Sequence, residues 1–551
     1  MTDSNSTQSE TRFWADEAAD RVIDNDRNPV VKGGVSPSGI PHIGNFNEVL
    51  RGYFVADALR EKDIEAQQVF TRDDRDPLRS IPHKLADSDG EIVELDDETR
   101  DELRQHLGKP YVDVPDPFGC CDSWADHFGS LLRDGAERLD VPITFYSNDE
   151  MYSDGEFLDA TRILLSDVEK ARETLSDYQR TVDDDYIPFM PICESCGRIT
   201  TTPTDVDLED ENVGYVCRDT ELAGKYEIEG CGHEGRASFT QGKLPWRFEW
   251  PAQWKILDVG FEPFGKDHAE GSWESGKAIS RGIFDHEPPE PLVYEFFLVD
   301  GDKMSASKGN IYTVEELLEI VEPEVLKYFF ALDPTKQRDF NVSEIDQLVD
   351  EFDRIEEIHY GDEDPADDKE RLFAERVYPT LVSGSDSGSD SDKREASNRR
   401  IRVPYTFAAM VGVSENEDAI LDVLRRSGHL PEDATHQQRD DVLERVDLAR
   451  NWARRLDNDY YVEVLYHKPD VEFDNGTRAA FEDLADFIDE GHSADEIQSE
   501  IFETARRHDV GVGDFFSSGY ELFLGQDSGP KLGPLLAALD REFVVERLRA
   551  A

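Results

Sequence analysis

Positive charge is the scarcest property of this sequence. Its 551 residues carry 59 Lys and Arg against 123 Asp and Glu, a net charge of −64, and only 18 of the cations are lysines. So acidic a surface repels phosphate backbones in dilute buffer, which at first excludes a nucleic-acid partner. Yet the acid runs along almost the whole chain and is not gathered in a tail, and 38% of residues are hydrophobic, enough to fill sizeable cores. Acid spread over a well-filled core reads as adaptation to molar salt, where the Debye length falls to about 3 Å and self-repulsion is screened. The charge then describes the solvent and not the partner. No run of about 18 apolar residues occurs, so no membrane span is expected. The polar N-terminal stretch has no apolar signal core, and the expected location is the cytoplasm. Cysteine is confined to positions 120, 121, 193, 196, 217 and 231. That clustering excludes a disulfide framework spread over a secreted chain and points to metal ligation.

The length fits roughly three or four domains at about 150 residues each. Residues 1–11 read as a disordered tail. Residues 28–35 read as a buried strand, followed by the small-residue turn Ser36-Pro37-Ser38-Gly39-Ile40-Pro41 and a helix from about His42 to Glu61. Phe46, Val49, Leu50, Tyr53 and Phe54 recur at helical spacing there. With Ile64 to Phe70 as the next strand, this is a βαβ unit of an α/β domain. Residues 83–101 read as an acidic surface loop, about 193–235 as a small metal-bound insert, 256–264 and 292–299 as later strands, and 313–331 as helix. From about 343 the pattern is helical, interrupted by a Ser, Asp and Gly stretch at 382–399 that reads as a flexible loop.

Three motifs carry chemistry. Pro41-His42-Ile43-Gly44-Asn45 sits at a strand-to-helix turn, where free N–H groups and the helix dipole suit phosphate. Gly39 and Gly44 allow close approach, and the same residues also make an ordinary polar cap. Gly301-Asp302-Lys303-Met304-Ser305-Ala306-Ser307-Lys308-Gly309-Asn310 is a basic loop able to close on a polyphosphate, in a chain otherwise poor in lysine. Cys193-x-x-Cys196 has zinc-knuckle spacing, and Cys217 and Cys231 supply two further thiolates across an inserted loop. Four protein ligands leave no open position, so the expected Zn²⁺ is structural, with His233 as an alternative ligand. Cys120 and Cys121 with His106 or His127 form a second, less regular candidate.

The first two motifs resemble the HIGH and KMSKS signatures of class I aminoacyl-tRNA synthetases, with Asn45 for the last His and Ala306 for a Lys. Further stretches resemble the class I lysyl-tRNA synthetases: Thr71 to Asp76, Val114 to Cys120, Pro245 to Pro251, Phe261 to His268, and Gly529 to Phe543. The resemblance implies an α/β Rossmann-like catalytic domain over 12–342, with an insert at about 83–245 that includes a zinc ribbon at about 190–236. An all-α anticodon-binding domain over 343–551 follows, in which Arg399, Arg400, Arg402 and Arg450 to Arg455 are the local positive charges. It implies ATP and Mg²⁺ with lysine and tRNA(Lys) as substrates, in a protein favoured to be a monomer. His42, Lys303 and Lys308 are the expected catalytic residues, and Ser36, Gly39, Gly44, Asn45, Gly265, Asp267, His268, Ser305 and Ser307 join them around ATP. An ε-ammonium needs carboxylate or ring-face partners, and Asp73, Asp74, Asp76, Trp246 and Glu249 are the candidates. A glutamyl-type synthetase, a smaller HIGH-type nucleotidyltransferase and a non-enzymatic zinc-ribbon RNA-binding protein are the competing readings.

Overall fold

The computed structural model describes residues 12–179, 182–222, 226–304, 310–382, 399–413, 416–458, 460, 461, 464, 465, 467, 469 and 471–551. Helix α1 (Trp14–Asp24) leads into five parallel strands: β1 (Val30–Val35), β2 (Gln67–Arg72), β3 (Thr144–Ser147), β4 (Phe261–Gly265) and β5 (Glu290–Tyr294). Their order is β5-β4-β1-β2-β3. The chain therefore builds outward from β1 on one side, then returns to build β4 and β5 on the other. The order reverses between β1 and β4, and the carboxyl ends of those strands form the crevice where open α/β sheets bind ligands.

Helix α2 (Phe46–Arg60) connects β1 to β2, and 12 of its 15 residues are buried. One apolar stripe was the expectation; the helix is instead enclosed almost all round, packed on the sheet and against α1. That is why polar Asn47 and Arg51 are buried with it. Arg51 donates to Asn47 Oδ1 (3.1 Å) and to the Phe330 carbonyl (3.1 Å), which meets the need of a buried guanidinium for acceptors.

Two sequence expectations change. Residues 83–101 do not form a plain loop. They form a hairpin (Lys84–Ala86 with Ile92–Glu94) and a helix (Asp97–Arg104). Leu85, Ala86, Leu95 and Leu103 enter a small core with Trp124 and Phe128, and Asp96 caps the helix by accepting the Thr99 N–H at 2.7 Å. The single helix expected over 313–331 is two, Val314–Leu318 and Pro323–Ala331, because Pro323 cannot continue a helix and opens the second at its first position.

The described residues form two compact units. One takes 12–316, 327–342 and 358–382; the other takes 317–326, 343–357 and 399–551. The division does not fall at one cut near 342, since short segments on either side of it are exchanged. The second unit is helical, with a core that includes Phe481, Leu484, Ile501, Phe523, Leu535 and Val544. Buried ion pairs tie its short segments together. Arg445 donates to Glu322 Oε1 (2.7 Å), to the Val403 carbonyl (2.7 Å) and to Asp353, while Arg402 reaches Glu356 Oε2 at 3.0 Å. Burial lifts the Asp353 carboxyl to about 6 despite these cations. Among the described residues, Arg445→Met leaves Glu322 and Asp353 to share Arg402 alone, at 3.6 Å from each, and urea unfolding in molar salt should show a loss of about 3 kcal/mol. A carboxyl with a raised folded-state pKa favours its protonated form, so lowering the pH from 8 to about 5 should recover part of that loss.

Candidate active site

The turn after β1 is built around His42. Its Nδ1 accepts the Gly44 N–H at 3.0 Å, and the His42 backbone N–H donates to Asn45 Oδ1 at 2.9 Å, a reciprocal cap on the Ile43–Asn45 turn that opens α2. A nitrogen that accepts a hydrogen bond carries no proton, so the ring proton sits on Nε2. Burial pushes this imidazole down to about 4, so it stays neutral at pH 7 with Nε2–H as its one donor. Asn45 keeps its amide NH₂ as a donor because its oxygen is committed to the cap. The Trp124 indole donates to the Pro37 carbonyl (2.6 Å) and the Ile43 N–H donates to the Tyr312 carbonyl (2.9 Å), which holds the turn in place. A cavity of about 300 Å³ opens here, lined among others by Ser36, Gly39, His42, Asn45, Arg72 and Lys84.

The two signatures meet. A Cβ on Gly44 would lie 2.6 Å from Met304 Cε and 2.7 Å from the His42 ring, so only glycine lets Met304 pack over the first signature. Lys303 is exposed, and its carbonyl accepts from Asn310 Nδ2 at 3.1 Å. Ser305, Ser307 and Lys308 lie outside the described residues.

The carboxylates expected for an ammonium already have partners within the chain. Asp73 accepts from Asn148 Nδ2 (2.7 Å) and Gln253 Nε2 (3.2 Å). Asp74 accepts the Asp149 N–H at 2.9 Å and lies 3.5 Å from Arg72; burial still pushes it up to about 6. Asp76 and Glu249 both pair with Lys243, the latter at 2.7 Å, and Tyr152 donates to Glu249 Oε1 at 2.8 Å. Burial works against the Lys243 charge, but Asp76 and Glu249 hold its pKa above the usual lysine range. On the neighbouring strand Lys32 pairs with Glu262 at 2.8 Å, and Trp250 and Trp254 donate to the same carboxylate.

A further carboxyl lies at the end of β1. Glu48, on the first turn of α2, accepts the Gly34 N–H (2.9 Å) and the Tyr294 hydroxyl (3.4 Å), and forms no salt bridge among the described residues. Burial, reinforced by Glu262 and partly offset by the Gly34 N–H and by Lys32, raises it to about 8. It lies where the carboxyl ends of β1 and β5 converge, since Gly34 and Tyr294 belong to those strands. Sequence reasoning missed it because a glutamate on a helix of so acidic a chain reads as a solvated residue. The signal that could have found it is its place among the apolar neighbours Phe46, Val49 and Leu50. Beside it β4 ends at Gly265, where a Cβ would come 2.7 Å from Asp267 Oδ1. Asp267 is exposed and His268 half-buried on the next turn, and the His268 ring lies 6.2 Å from half-buried Trp246, which stacks on Trp250 at 5.3 Å.

The cysteines also converge. Zn–S bonds of about 2.3 Å place the sulfurs of a tetrahedral site about 3.8 Å apart. Cys193 to Cys231 is 3.6 Å, Cys196 to Cys217 is 3.7 Å, and all four thiols lie within 4.8 Å of one another. The donor set fits zinc. His233 is not among it; its Nε2 faces Glu194 at 2.8 Å. Asp116, Cys120, Cys121 and His127 form a second group of the same tightness, without His106. There His127 Nε2 bonds the Ala86 carbonyl at 2.9 Å, which leaves the Nδ1 lone pair facing Cys120 Sγ (3.2 Å) and Asp116 (3.4 Å). A ring nitrogen freed in this way is the usual arrangement of a metal-ligating histidine.

Comparison with known proteins agrees with these features. The family model described as tRNA synthetases class I (K) matches residues 12–379. A protein of Natronomonas pharaonis named lysine–tRNA ligase is 55% identical over 98% of this chain and 97% of its own length. Those of the same name from Halobacterium salinarum (52%, over 98% and 96%) and Pyrococcus horikoshii (32%, over 97% and 99%) extend the match. With the signatures in contact at the end of β1 and relatives aligned nearly end to end, the chain belongs to the class I lysyl-tRNA synthetases.

Proposed function

We propose that this protein is a lysine–tRNA ligase whose amino-acid pocket is organised by Glu48. Lysine is activated with ATP to lysyl-adenylate and then transferred to the 3′ end of tRNA(Lys). The observation that carries the pocket is a half-buried carboxyl at the β1 end with no salt bridge among the described residues, while Asp74, Asp76, Glu249 and Glu262 stand beside cations and Asp73 holds two amide donors. An incoming ε-ammonium supplies the missing charge, with Tyr294 as a further oxygen and Trp246 as the ring wall. A glutamate-type substrate would bring a second carboxylate to this site, which disfavours that reading. A purely RNA-binding protein has no need of two phosphate signatures in contact.

Neither chemical step needs a protein nucleophile. The lysine carboxylate attacks the α-phosphorus and expels pyrophosphate; the terminal ribose hydroxyl then attacks the adenylate carbonyl and expels AMP. His42 donates from Nε2 to a phosphate oxygen, and Asn45 donates from its amide. Lys303 and Lys308 close over the polyphosphate with Ser305 and Ser307, beside Ser36, Gly39 and Gly44. Gly265, Asp267 and His268 face the adenosine end. Catalysis is positioning and charge neutralisation, with Mg²⁺ accompanying ATP.

Zn²⁺ in the four-thiol group holds the insert as a zinc ribbon, and the Asp116, Cys120, Cys121 and His127 group takes a second ion of the same kind. The helical unit binds the anticodon arm. Arg399, Arg400 and Arg402 are engaged with Glu356 and Glu324, so base contacts come from other residues. The protein works as a cytoplasmic monomer in molar salt.

ATP–pyrophosphate exchange run with each amino acid in molar salt should respond to lysine alone. Lys308→Ala should lower that exchange by roughly 100-fold or more with little change in lysine affinity; exchange at the wild-type rate would remove the loop from the mechanism. Glu48 yields a pH profile. A carboxyl raised to about 8 is protonated in the free enzyme below that pH and must lose its proton to hold an ammonium. Lysine affinity should therefore fall about tenfold per unit as pH drops from 8 to 6. Calorimetry of Glu48→Gln should show weaker binding without that slope. Elemental analysis should find zinc in the purified chain, and Cys193→Ser should lose one ion and lower the melting temperature.

A further inference from the structure

The cavity beside His42 has one cationic wall that the signatures do not account for. It comes from the hairpin Lys84–Glu94, whose first residue lines the cavity with Ser36, Gly39, His42 and Asn45. Arg72 lines it too, but is held by Asp74 (3.5 Å), Asp126 (3.8 Å) and the Ala125 carbonyl (3.5 Å). Lys84 is half-buried and forms no ion pair among the described residues, in a chain with 123 carboxylates and 18 lysines. In so acidic a protein an unpaired lysine at a cavity wall stands out, because the surface offers carboxylates nearly everywhere.

The hairpin is anchored at both ends. At its base the Leu95 N–H donates to the His83 carbonyl at 2.9 Å, and along its first strand the Ala86 carbonyl bonds His127 Nε2 at 2.9 Å with Leu85 buried in the Trp124 core. At its tip Asp87 Oδ1 accepts the N–H groups of Asp89 and Glu91 at 3.0 Å each, Gly90 turns with φ +82°, and Thr313 Oγ1 donates to the Gly90 carbonyl at 2.9 Å. Thr313 follows the Tyr312 carbonyl that accepts from Ile43 of the first signature. The lysine is thus carried on a fixed element joined to the same backbone that holds the signature turn. Such a placement pre-organises a cation for a multiply charged anion. In molar salt the Debye length is about 3 Å, so only cations in direct contact can hold phosphate.

We propose that Lys84 is a further phosphate-binding residue of the ATP site, contacting the polyphosphate of ATP from the hairpin wall of the cavity. This rests on the reading of His42 as a phosphate donor. The test is ATP–pyrophosphate exchange in molar salt with Lys84→Ala, Lys84→Arg and, alongside, His42→Ala, together with transfer to tRNA from preformed lysyl-adenylate. The side chain of Lys84 contributes only to the cavity wall, and the hairpin pairs through its backbone, so thermal unfolding should be unchanged. Lys84→Ala should raise KM for ATP on the order of 10- to 100-fold, the loss of one charge-assisted contact. KM for lysine and the transfer step should stay within about twofold, and Lys84→Arg should recover most of the loss. If His42→Ala impairs ATP use while Lys84→Ala does not, Lys84 has no such role and the reading of His42 stands. An effect of Lys84→Ala confined to the transfer step would assign its contact to the tRNA end and overturn the proposal. If His42→Ala leaves ATP use intact, the reading of the first signature fails, and with it the ground for Lys84.

Discussion

A carboxylate taken out of water must meet a cation, collect hydrogen bonds or give up its charge. In a chain with twice as many acids as bases, the buried acids compete for few partners, and the form of the site follows from how those partners are shared. Lys32 goes to Glu262, Lys243 to Asp76 and Glu249 together, and Arg72 stands by Asp74. Asp73 has only amide donors, Asn148 and Gln253. The contacts of Lys243 and of Asp73 join the segment after β2 to distant elements, so the same contacts that neutralise charge also fix the site. Lys243 carries this furthest: it lies in the strand leading to the Trp246–Ile256 helix and draws Glu249 of that helix toward Asp76 beyond β2. Removing either partner of such a pair costs more than the pair itself contributes, because the other charge stays buried.

Glu48, like Asp73, is left by this sharing without a salt bridge among the described residues. Burial is the main cause of its raised pKa, with Lys32 offsetting part of the rise, and in the proposed pocket a substrate ammonium would relieve it. The internal lysines bear on specificity as well. Were Asp76 and Glu249 free, a second acidic niche would stand open within the same protein, able to take a lysine in an unproductive place. Lys243 fills that niche with the chain's own ammonium.

Local signals in the sequence marked much of this architecture. The small-residue turn between an apolar run and a helical pattern marks the β1–α2 unit, and Thr435 with Gln438 and Ser493 with Glu496 show the capping pairs that open two helices of the second unit. The Cys-x-x-Cys pair and two later cysteines marked a four-thiol group, because ligand spacing is a local property. Partners far apart in the chain were not legible. Lys243 meets Asp76 across 167 positions and Asp73 meets Gln253 across 180, so the Asp cluster read as available when it was not. The hairpin at Lys84 was hidden for another reason. Its acidic composition resembles solvated loop, and only its few apolar residues, Leu85, Ala86 and Leu95, belong to the core.

Scarcity of cations and work on polyanions are compatible because the two kinds of charge sit in different dielectric surroundings. Exposed carboxylates on the surface face salt at concentrations where a field decays within about 3 Å, so they repel neither ATP nor RNA at a distance. Groups inside the cavity are screened far less, since ions cannot pack around them. In the proposed ATP site the His42 Nε2–H, the Asn45 amide and the cavity lysine would therefore act at close range as they would in a protein of ordinary charge. Long-range steering is what such a protein gives up, and recognition has to be written in contacts. A neutral imidazole is well suited to that regime: with its pKa near 4, its donor does not vary with salt or with pH across the neutral range.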